Sequence, residues 1–540
     1  MANTIIVGID FGMTFTGVVF ASVNSEQPPI IVNQWPDGLA SKTLSRIDYV
    51  DNGEPEWGFS AVGNPTYTWF KQTLDTSTSP GDIRDEEFES LTNQELARLP
   101  PGIDGRRIVG DYLRQIGRFV ANLLEDEIQK GSRIQFQFST PVVWPDSAHD
   151  AMWHAIRDAG FGTTFPGDIR LSSESEAAAR YILHKEGDNI KTNDVFCICD
   201  IGGCTVDSTC YRILSKQPAL RLEQICQSRG NKSGAFTVDL KFLQCMCRRF
   251  GRQFKHKFLK SDGLNSAFVR QFNTIKEGFD GTEGEHRLVI ELEAEESEFY
   301  DPDNSEIILT RRDMKDFFSQ TINESFSLMQ EQRDRAKYNH AIVRHMCITG
   351  GFADSAYARK RFHKMFPGTA MRLVFPAAPA MATSFGSALI GRQDASFANK
   401  RSARSYGIYH KDLLPVHPNN KERRIRERNS MSVRYTKRFE LLHSSTDPLE
   451  KAIQVFSVDH AKPPTDWNKL SGGRSKMEKL ESLSIDLTAV PLNDHPQIGP
   501  FTQILLDVEA TLNLKQGELN IKVSAGNHRC GECTVHTVWA

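Results

Sequence analysis

No apolar stretch in the chain approaches the roughly 18 uninterrupted residues that cross a bilayer. The opening Met-Ala-Asn-Thr-Ile-Ile-Val has no basic segment running into an apolar one. Neither a membrane span nor a secretory leader is therefore expected, and the reading is a soluble cytoplasmic protein, with a nuclear location left open. Cysteine is sparse, 10 in 540 residues, which excludes a disulfide scaffold. Pairs such as Cys197 with Cys199, and Cys245 with Cys247, sit inside apolar runs and read as reduced core thiols. An excess of one charge is missing too: 65 Lys and Arg face 68 Asp and Glu, a net of -3. That balance excludes a disordered polyelectrolyte and gives no global reason to expect nucleic acid. What the chain does have is 39% hydrophobic residues and length enough for three or four units at about 150 residues each.

The run Ile5-Ile6-Val7-Gly8-Ile9 is apolar and β-branched, breaks at Asp10-Phe11-Gly12, and resumes at Gly17-Val18-Val19-Phe20. This pattern predicts a buried hairpin with a polar, glycine-containing tip. The same design returns in Val195 to Cys199, Asp200-Ile201-Gly202-Gly203-Cys204-Thr205 and Val206-Asp207. Two lobes of similar plan are expected, each contributing a hairpin. Helical periodicity covers 107–128, 147–159, 237–250 and 313–329, with strands at 134–139 and 288–292, so the class is α/β. The acidic stretch 281–306 reads as an exposed hairpin without function. Residues 400–440 carry twelve Lys or Arg against four Asp or Glu, a composition shift expected to mark a solvated linker. Beyond Ser432, short apolar runs separated by Pro, Gly, Asn and Asp predict a small, mostly β domain. The expected boundaries are 1–190 and 191–395 for the lobes, 396–431 for the linker and 432–540 for the β-rich domain.

A phosphate chain bound with a divalent cation needs closely approaching backbone N-H groups, hydroxyls, and carboxylates for the hydrated metal. Asp10-Phe11-Gly12-Met13-Thr14 and Asp200 to Thr205 each supply that set. A third element, Met346 to Thr349 opening into Gly350-Gly351-Phe352, is a strand-to-helix turn at which a flat ring or sugar could lie against backbone. The three segments together resemble the actin-like ATPase superfamily, which includes actin, sugar kinases and the 70-kDa heat-shock chaperones. The likeness is closest to the chaperone type through Thr205-Val206-Asp207, through Glu174-Ser175-Glu176-Ala177-Ala178-Ala179, and through Thr140-Pro141-Val142-Val143-Trp144. It covers roughly residues 1 to 395 and implies a two-lobed fold around a nucleotide cleft.

On that resemblance, Asp10 and Asp200 hold hydrated Mg²⁺, while Gly12, Met13 and Thr14 wrap one side of the ATP or ADP phosphates. Gly202, Gly203, Cys204 and Thr205 wrap the other side, Asp207 closes the second loop, and Gly230 lies in the glycine turn beside it. Lys71 falls where the family places the lysine that neutralises the γ-phosphate and orients water, and Glu174 matches the acidic residue near water and metal. The catalytic set is thus Lys71, Glu174, Asp200 and Thr205. Lys276 is expected beside the adenosine, with Gly350, Gly351 and Phe352 covering base and ribose.

Departures from the family pattern point to weaker binding or slow turnover. Met13 replaces a hydroxyl, Cys204 a glycine, Asn273 and Glu277 the usual adenosine contacts, and Ala380 an acidic residue. The connection Arg401-Ser402-Ala403-Arg404-Ser405-Tyr406-Gly407 lacks the leucine-rich acidic linker of the chaperones and more closely resembles a divergent branch found in fungi and, as distant paralogues, in animals. The β-rich tail is then a reduced partner-binding domain without a helical lid. The leading expectation is a slow Mg-ATP-dependent, chaperone-like ATPase acting on protein clients, with co-chaperones possible, and monomeric. The alternatives are a nucleotide-sensing scaffold, or a small-molecule kinase needing a catalytic aspartate such as Asp82, Asp104 or Asp146, each in a turn-like context. His528, Cys530, Cys533 and His536 have metal-type residues on one short segment, which favours ordinary thiols over zinc.

Overall fold

The computed structural model describes residues 3–50, 53–62, 66–75, 99–142, 144–216, 220–260, 266–282, 284–367, 370–392, 397–399, 405–409, 413–415, 432–444, 448–458, 477–498, 501–513 and 518–536. Two units make up the chain. One comprises Met1–Trp144, His154–Asn399 and Ala540, and the other Pro145–Trp153 and Lys400–Trp539.

In the larger unit two sheets repeat one plan. The first contains β1 (Thr4–Phe11), β2 (Phe15–Ser22), β3 (Ile30–Ile31), β4 (Arg133–Thr140) and β5 (Asp168–Ser173) in the order β5-β4-β1-β2-β3. The second contains β6 (Val195–Ile201), β7 (Val206–Ser215), β8 (Arg221–Gln224), β9 (Val343–Thr349), β10 (Arg372–Val374) and β11 (Phe397–Asn399), ordered β10-β9-β6-β7-β8-β11. In each, an antiparallel hairpin lies beside a parallel strand, β1 with β4 and β6 with β9. Central strands in such sheets are covered on both faces, which is why β1 and β6 are near-continuous apolar runs. Every residue of β6 is buried, and so is β1 after Thr4.

Two helices tie the lobes together. Helix Glu174–Glu186 starts at Ser173, whose side chain accepts from the Glu176 N-H. Its Ala177 meets Gly386 of helix Ala382–Arg392 so closely that a Cβ on Gly386 would stand 1.8 Å from the Ala177 carbonyl oxygen. Ala178, Ala179 and Ile182 share one apolar cluster with Ile6 of β1, with Phe196 and Ile198 of β6, and with Phe385. Helix Ala382–Arg392, expected within the second lobe, also packs on the first: a Cβ on Gly8 would lie 2.5 Å from the backbone of Ser384 and Ala388. A single boundary at 190 therefore does not partition the packing, because glycines on both sides admit the helices at backbone contact.

Elsewhere Asp146–Ala159, Phe236–Lys260 (kinked at Gly251) and Arg311–Tyr338 extend the expected helices, while the one expected over 107–128 is helix Gly105–Leu123 followed by the separate short helix Glu125–Gln129. The acidic stretch forms the antiparallel pair Glu285–Val289 with Glu306–Thr310. Among the described residues no helix is long and apolar enough to cross a membrane.

The smaller unit is two sheets over one core. Ser405–Tyr409, Glu450–Val458 and Met477–Asp486 form one sheet; Leu413–Pro415, Ser432–Ser444, Phe501–Asn513, Glu518–Ala525 and His528–His536 belong to the other. Ile453, Leu483 and Ile485 from the first sheet bury against Ile504, Leu506, Ile521 and Val523 of the second. The basic stretch expected as linker departs from that reading, since Ser405–Tyr409 and Leu413–Pro415 are ladder partners of Glu450–Val458 and Ser432–Ser444. Short apolar or aromatic stretches inside the basic run, Tyr406 to Tyr409 and Leu413-Leu414, supply these strands; Arg401 to Arg404 and residues 416–431 lie outside the described residues, as does Asp82.

Candidate functional site

The duplicated topology puts the last residues of β1 and β6 at equivalent places. Asp10 lies opposite Gly17 across the first hairpin, and Asp200 opposite Asp207 across the second. Both tips close by one device, with Gly12 N-H donating to Phe15 O at 3.0 Å and Gly202 N-H to Thr205 O at 2.9 Å. The loops approach each other: a Cβ on Gly203 would stand 3.0 Å from Thr14 Oγ1. Behind the second loop, Gly234, Ala235 and Phe236 donate their N-H groups to the carbonyls of Cys204, Gly202 and Gly203, seating the start of helix Phe236–Lys260 on the loop. Gly230 pairs with Asp207 on the short strand Arg229–Asn231.

Three carboxylates gather at the base. Asp10 is 7% and Asp200 5% exposed. Asp200 Oδ2 accepts from Thr383 Oγ1 at 3.2 Å, while its Oδ1 has no hydrogen-bond partner among the described residues. Burial first, then the neighbouring Glu174 and Asp10, push the Asp200 carboxyl up to about 7, with Lys42 opposing. Glu174 sits at the first turn of its helix and accepts from Lys71 Nζ at 3.1 Å. Its carboxyl is raised chiefly by burial, against the lowering pull of Lys71. Lys71 is itself 5% exposed, on the turn Phe70–Leu74, with its ammonium over the Trp144 ring at 5.2 Å and the Phe11 ring at 5.7 Å. That turn begins at Trp69, whose φ of 67° is left-handed, an uncommon conformation for a bulky residue.

Contacts across the cleft frame this group. Trp69 packs its ring on Phe236, and Met13 joins the second lobe's apolar cluster with Trp69 and Phe236. Lys232 Nζ donates to Asp75 Oδ2 at 3.1 Å. Gly350, with φ of 86°, leaves room for the metal-side carboxylate, because a Cβ there would meet Ile201 O at 2.2 Å and Asp200 Oδ1 at 2.6 Å.

Not every candidate faces the cleft base. Phe352 is buried in the second lobe against Phe318, so Gly350 and Gly351 offer backbone there while the phenyl ring is core. Lys276 donates to Asp239 Oδ1 at 2.6 Å, bridging helices Ala267–Gly278 and Phe236–Lys260. Burial raises the Cys204 thiol to about 11, leaving it neutral in the second loop. Asp104 caps helix Gly105–Leu123 by accepting from the Arg107 N-H, and Asp146 begins its own helix. Cys530 is buried in the β-rich unit's core, and among the described residues no three His, Cys, Asp or Glu side chains are arranged to ligate an ion directly.

Sequence reasoning missed Lys42 and Thr383. Lys42 donates to Asp10 Oδ2 at 2.7 Å. Neither carries a local signal, since a lysine in Ser41-Lys42-Thr43 and a threonine in Ala382-Thr383-Ser384 acquire their partners only through pairing far along the chain.

The chain is similar to two heat-shock proteins. It is 21% identical to Heat shock 70 kDa protein 12B of Homo sapiens over 494 residues, covering 75% of this chain and 71% of that protein. It is 23% identical to Heat shock 70 kDa protein 12A of Mus musculus, covering 75% of this chain and 72% of the relative. A family model described as "Domain of unknown function (DUF8340)" matches residues 188–374.

Proposed function

We propose that this chain, which belongs to the 70-kDa heat-shock family of the actin-like ATPase superfamily, binds Mg-ATP between its lobes and hydrolyses it slowly, the nucleotide state setting lobe closure. The observation that carries this reading is the meeting of Asp10, Glu174, Asp200 and Lys71 beneath two glycine loops from duplicated hairpins.

The orphaned Oδ1 of buried Asp200, admitted beside Gly350 because that residue has no Cβ, fits an acceptor for the water shell of a hydrated divalent cation. Asp10 and Asp200 would hold it through its water shell. Bound Mg²⁺ supplies neutralisation of phosphate charge. The other work falls to protein groups. Backbone N-H groups and the Thr14 and Thr205 hydroxyls wrap the phosphates, and the Lys71 ammonium faces the γ-phosphoryl and orients the attacking water. Glu174 holds Lys71 in place at 3.1 Å and accepts from that water. Positioning and charge neutralisation, with no covalent nucleophile, carry such a transfer.

Slow turnover fits one feature: Met13 gives an apolar contact where the family has a hydroxyl. The β-rich unit is the proposed site for protein clients, reached by the lobe motion.

Single-turnover hydrolysis of radiolabelled ATP with Mg²⁺, wild type against Asp200→Asn, tests the reading. Phosphate release lost in the variant supports a cleft ATPase. Nucleotide bound without release by either protein sinks hydrolysis and leaves a nucleotide-sensing scaffold; release only with an added hydroxyl acceptor identifies a kinase.

A further inference from the structure

Lys42 is held beside Asp10 by the way its segment pairs with the first loop. Its segment is bound to the first loop: Thr43 pairs with Thr16 and Leu44 with Phe15, Ser45 N-H donates to Thr14 O at 2.9 Å, and the Ser45 and Thr16 hydroxyls lie 2.9 Å apart. From that anchor the lysine stem crosses Gly17, the residue directly opposite Asp10 in the hairpin. A Cβ on Gly17 would stand 3.0 Å from Ser384 Oγ, 3.2 Å from Lys42 Cε and 3.3 Å from Cγ, so a side chain at 17 would press on the lysine stem as well as on Ser384. The ammonium ends 2.7 Å from Asp10 Oδ2, with the Lys42 side chain 17% exposed. A lysine ammonium is a compact point charge with three donors, able to exchange one anionic oxygen for another without changing its own charge.

We propose that Lys42 is a resident monovalent cation of the nucleotide site, balancing Asp10 in the empty cleft and donating to phosphate oxygens when nucleotide enters. The consequence is nucleotide binding that depends little on Mg²⁺. The proposal rests on the nucleotide-binding reading above and assigns part of the charge neutralisation there to the chain itself. Gly17 is, on this view, small in order to admit the lysine stem alongside Ser384 of helix Ala382–Arg392.

Calorimetric titration of the full chain with ADP, in excess Mg²⁺ and again in excess EDTA, tests it. Wild type should lose less than about tenfold in affinity when Mg²⁺ is removed, which is about 1.4 kcal/mol. Lys42→Met should lose about a hundredfold or more under EDTA and much less in Mg²⁺, and Lys42→Arg should restore part of the EDTA affinity. Gly17→Ala keeps the lysine but crowds its stem, so it should shift the EDTA-to-Mg²⁺ ratio in the direction of Lys42→Met; thermal unfolding of each variant establishes that it is folded. A wild-type affinity that collapses under EDTA, or a ratio that folded Lys42→Met leaves unchanged, overturns this proposal while nucleotide binding stands. No ADP binding by wild type in either condition overturns both readings together.

Discussion

The two hairpins share a backbone and differ in electrostatics. Asp10 is paired to Lys42 at 2.7 Å, whereas Asp200 has no ion-pair partner among the described residues and keeps one oxygen without a hydrogen bond. At the tips, Met13 is anchored in an apolar cluster of the opposite lobe while Cys204 stays a neutral thiol over the start of a helix. Duplication therefore fixes where a carboxylate stands, and the surroundings decide its charge. The first hairpin's carboxylate is balanced by a lysine, and the second's is left without an ion pair among the described residues.

The largest break in this comparison is steric. Gly350→Ala puts a methyl 2.2 Å from Ile201 O, on a backbone with φ of 86°, and drives into the Asp200 carboxylate. Both the strain and the clash fall on the second hairpin, so chemical unfolding should show a loss of about 3 kcal/mol or more and nucleotide titration should show no binding. The loop glycines make a paired control: a Cβ on Gly12 meets Phe15 O at 2.5 Å, but one on Gly202 only reaches 3.4 Å from Thr205 O. Gly12→Ala should cost clearly more stability than Gly202→Ala; equal costs would mean that the tips relax alike.

Charge substitution sharpens the contrast. Asp10→Asn strands the largely buried Lys42 ammonium and should destabilise the fold by about 2 kcal/mol. Asp200→Asn strands nothing. A carboxyl raised from 3.8 to about 7 holds its proton in the folded chain where the unfolded chain has released it. Its stabilising contribution is complete below the unfolded value and is lost as pH rises through about 7, with a slope of at most about 1.4 kcal/mol per pH unit. Asp200→Asn removes that slope, so its Tm relative to wild type should climb between about pH 5 and pH 7.5. A constant offset across this range would show that Asp200 is ionised throughout.

How much of this was written locally is decided by what each feature depends on. The hairpins were legible because a strand buried on both faces must be a continuous apolar run, and Ile5 to Ile9 and Val195 to Cys199 are such runs. Asp10, Asp200 and the glycines follow directly at the ends of those runs, and Lys71 and Glu174 came only from resemblance. The Lys42 contact was illegible, because it exists only when residues 43 and 44 pair with residues 16 and 15 and when Gly17 leaves the path open. Helix Ala382–Arg392 hid its membership in the first lobe for a similar reason, since its partners at Gly8 and Ala177 lie more than 200 residues earlier. The basic stretch misled in the opposite way: its charge dominated the composition, while short apolar or aromatic stretches within it, Tyr406 to Tyr409 and Leu413-Leu414, pair as strands.

The smallest expected effect concerns the bridge that ties the hairpins' lobes. Asp75 closes the turn that carries Lys71, and Lys232 reaches it from the glycine turn of the second lobe. Lys232 is 43% exposed, so water screens the pair and a double-mutant cycle with Asp75→Asn and Lys232→Met should return a coupling of only about 0.5–1 kcal/mol in stability. Its larger consequence is geometric. The bridge, with the Trp69 and Phe236 rings, holds the Lys71 turn against the second loop, so Lys232→Met should slow single-turnover hydrolysis by a few fold while nearly preserving nucleotide affinity. Equal losses in affinity and rate would instead make Lys232 a phosphate contact, and the asymmetry between a self-balanced first hairpin and a waiting second one would then have a cation on each side.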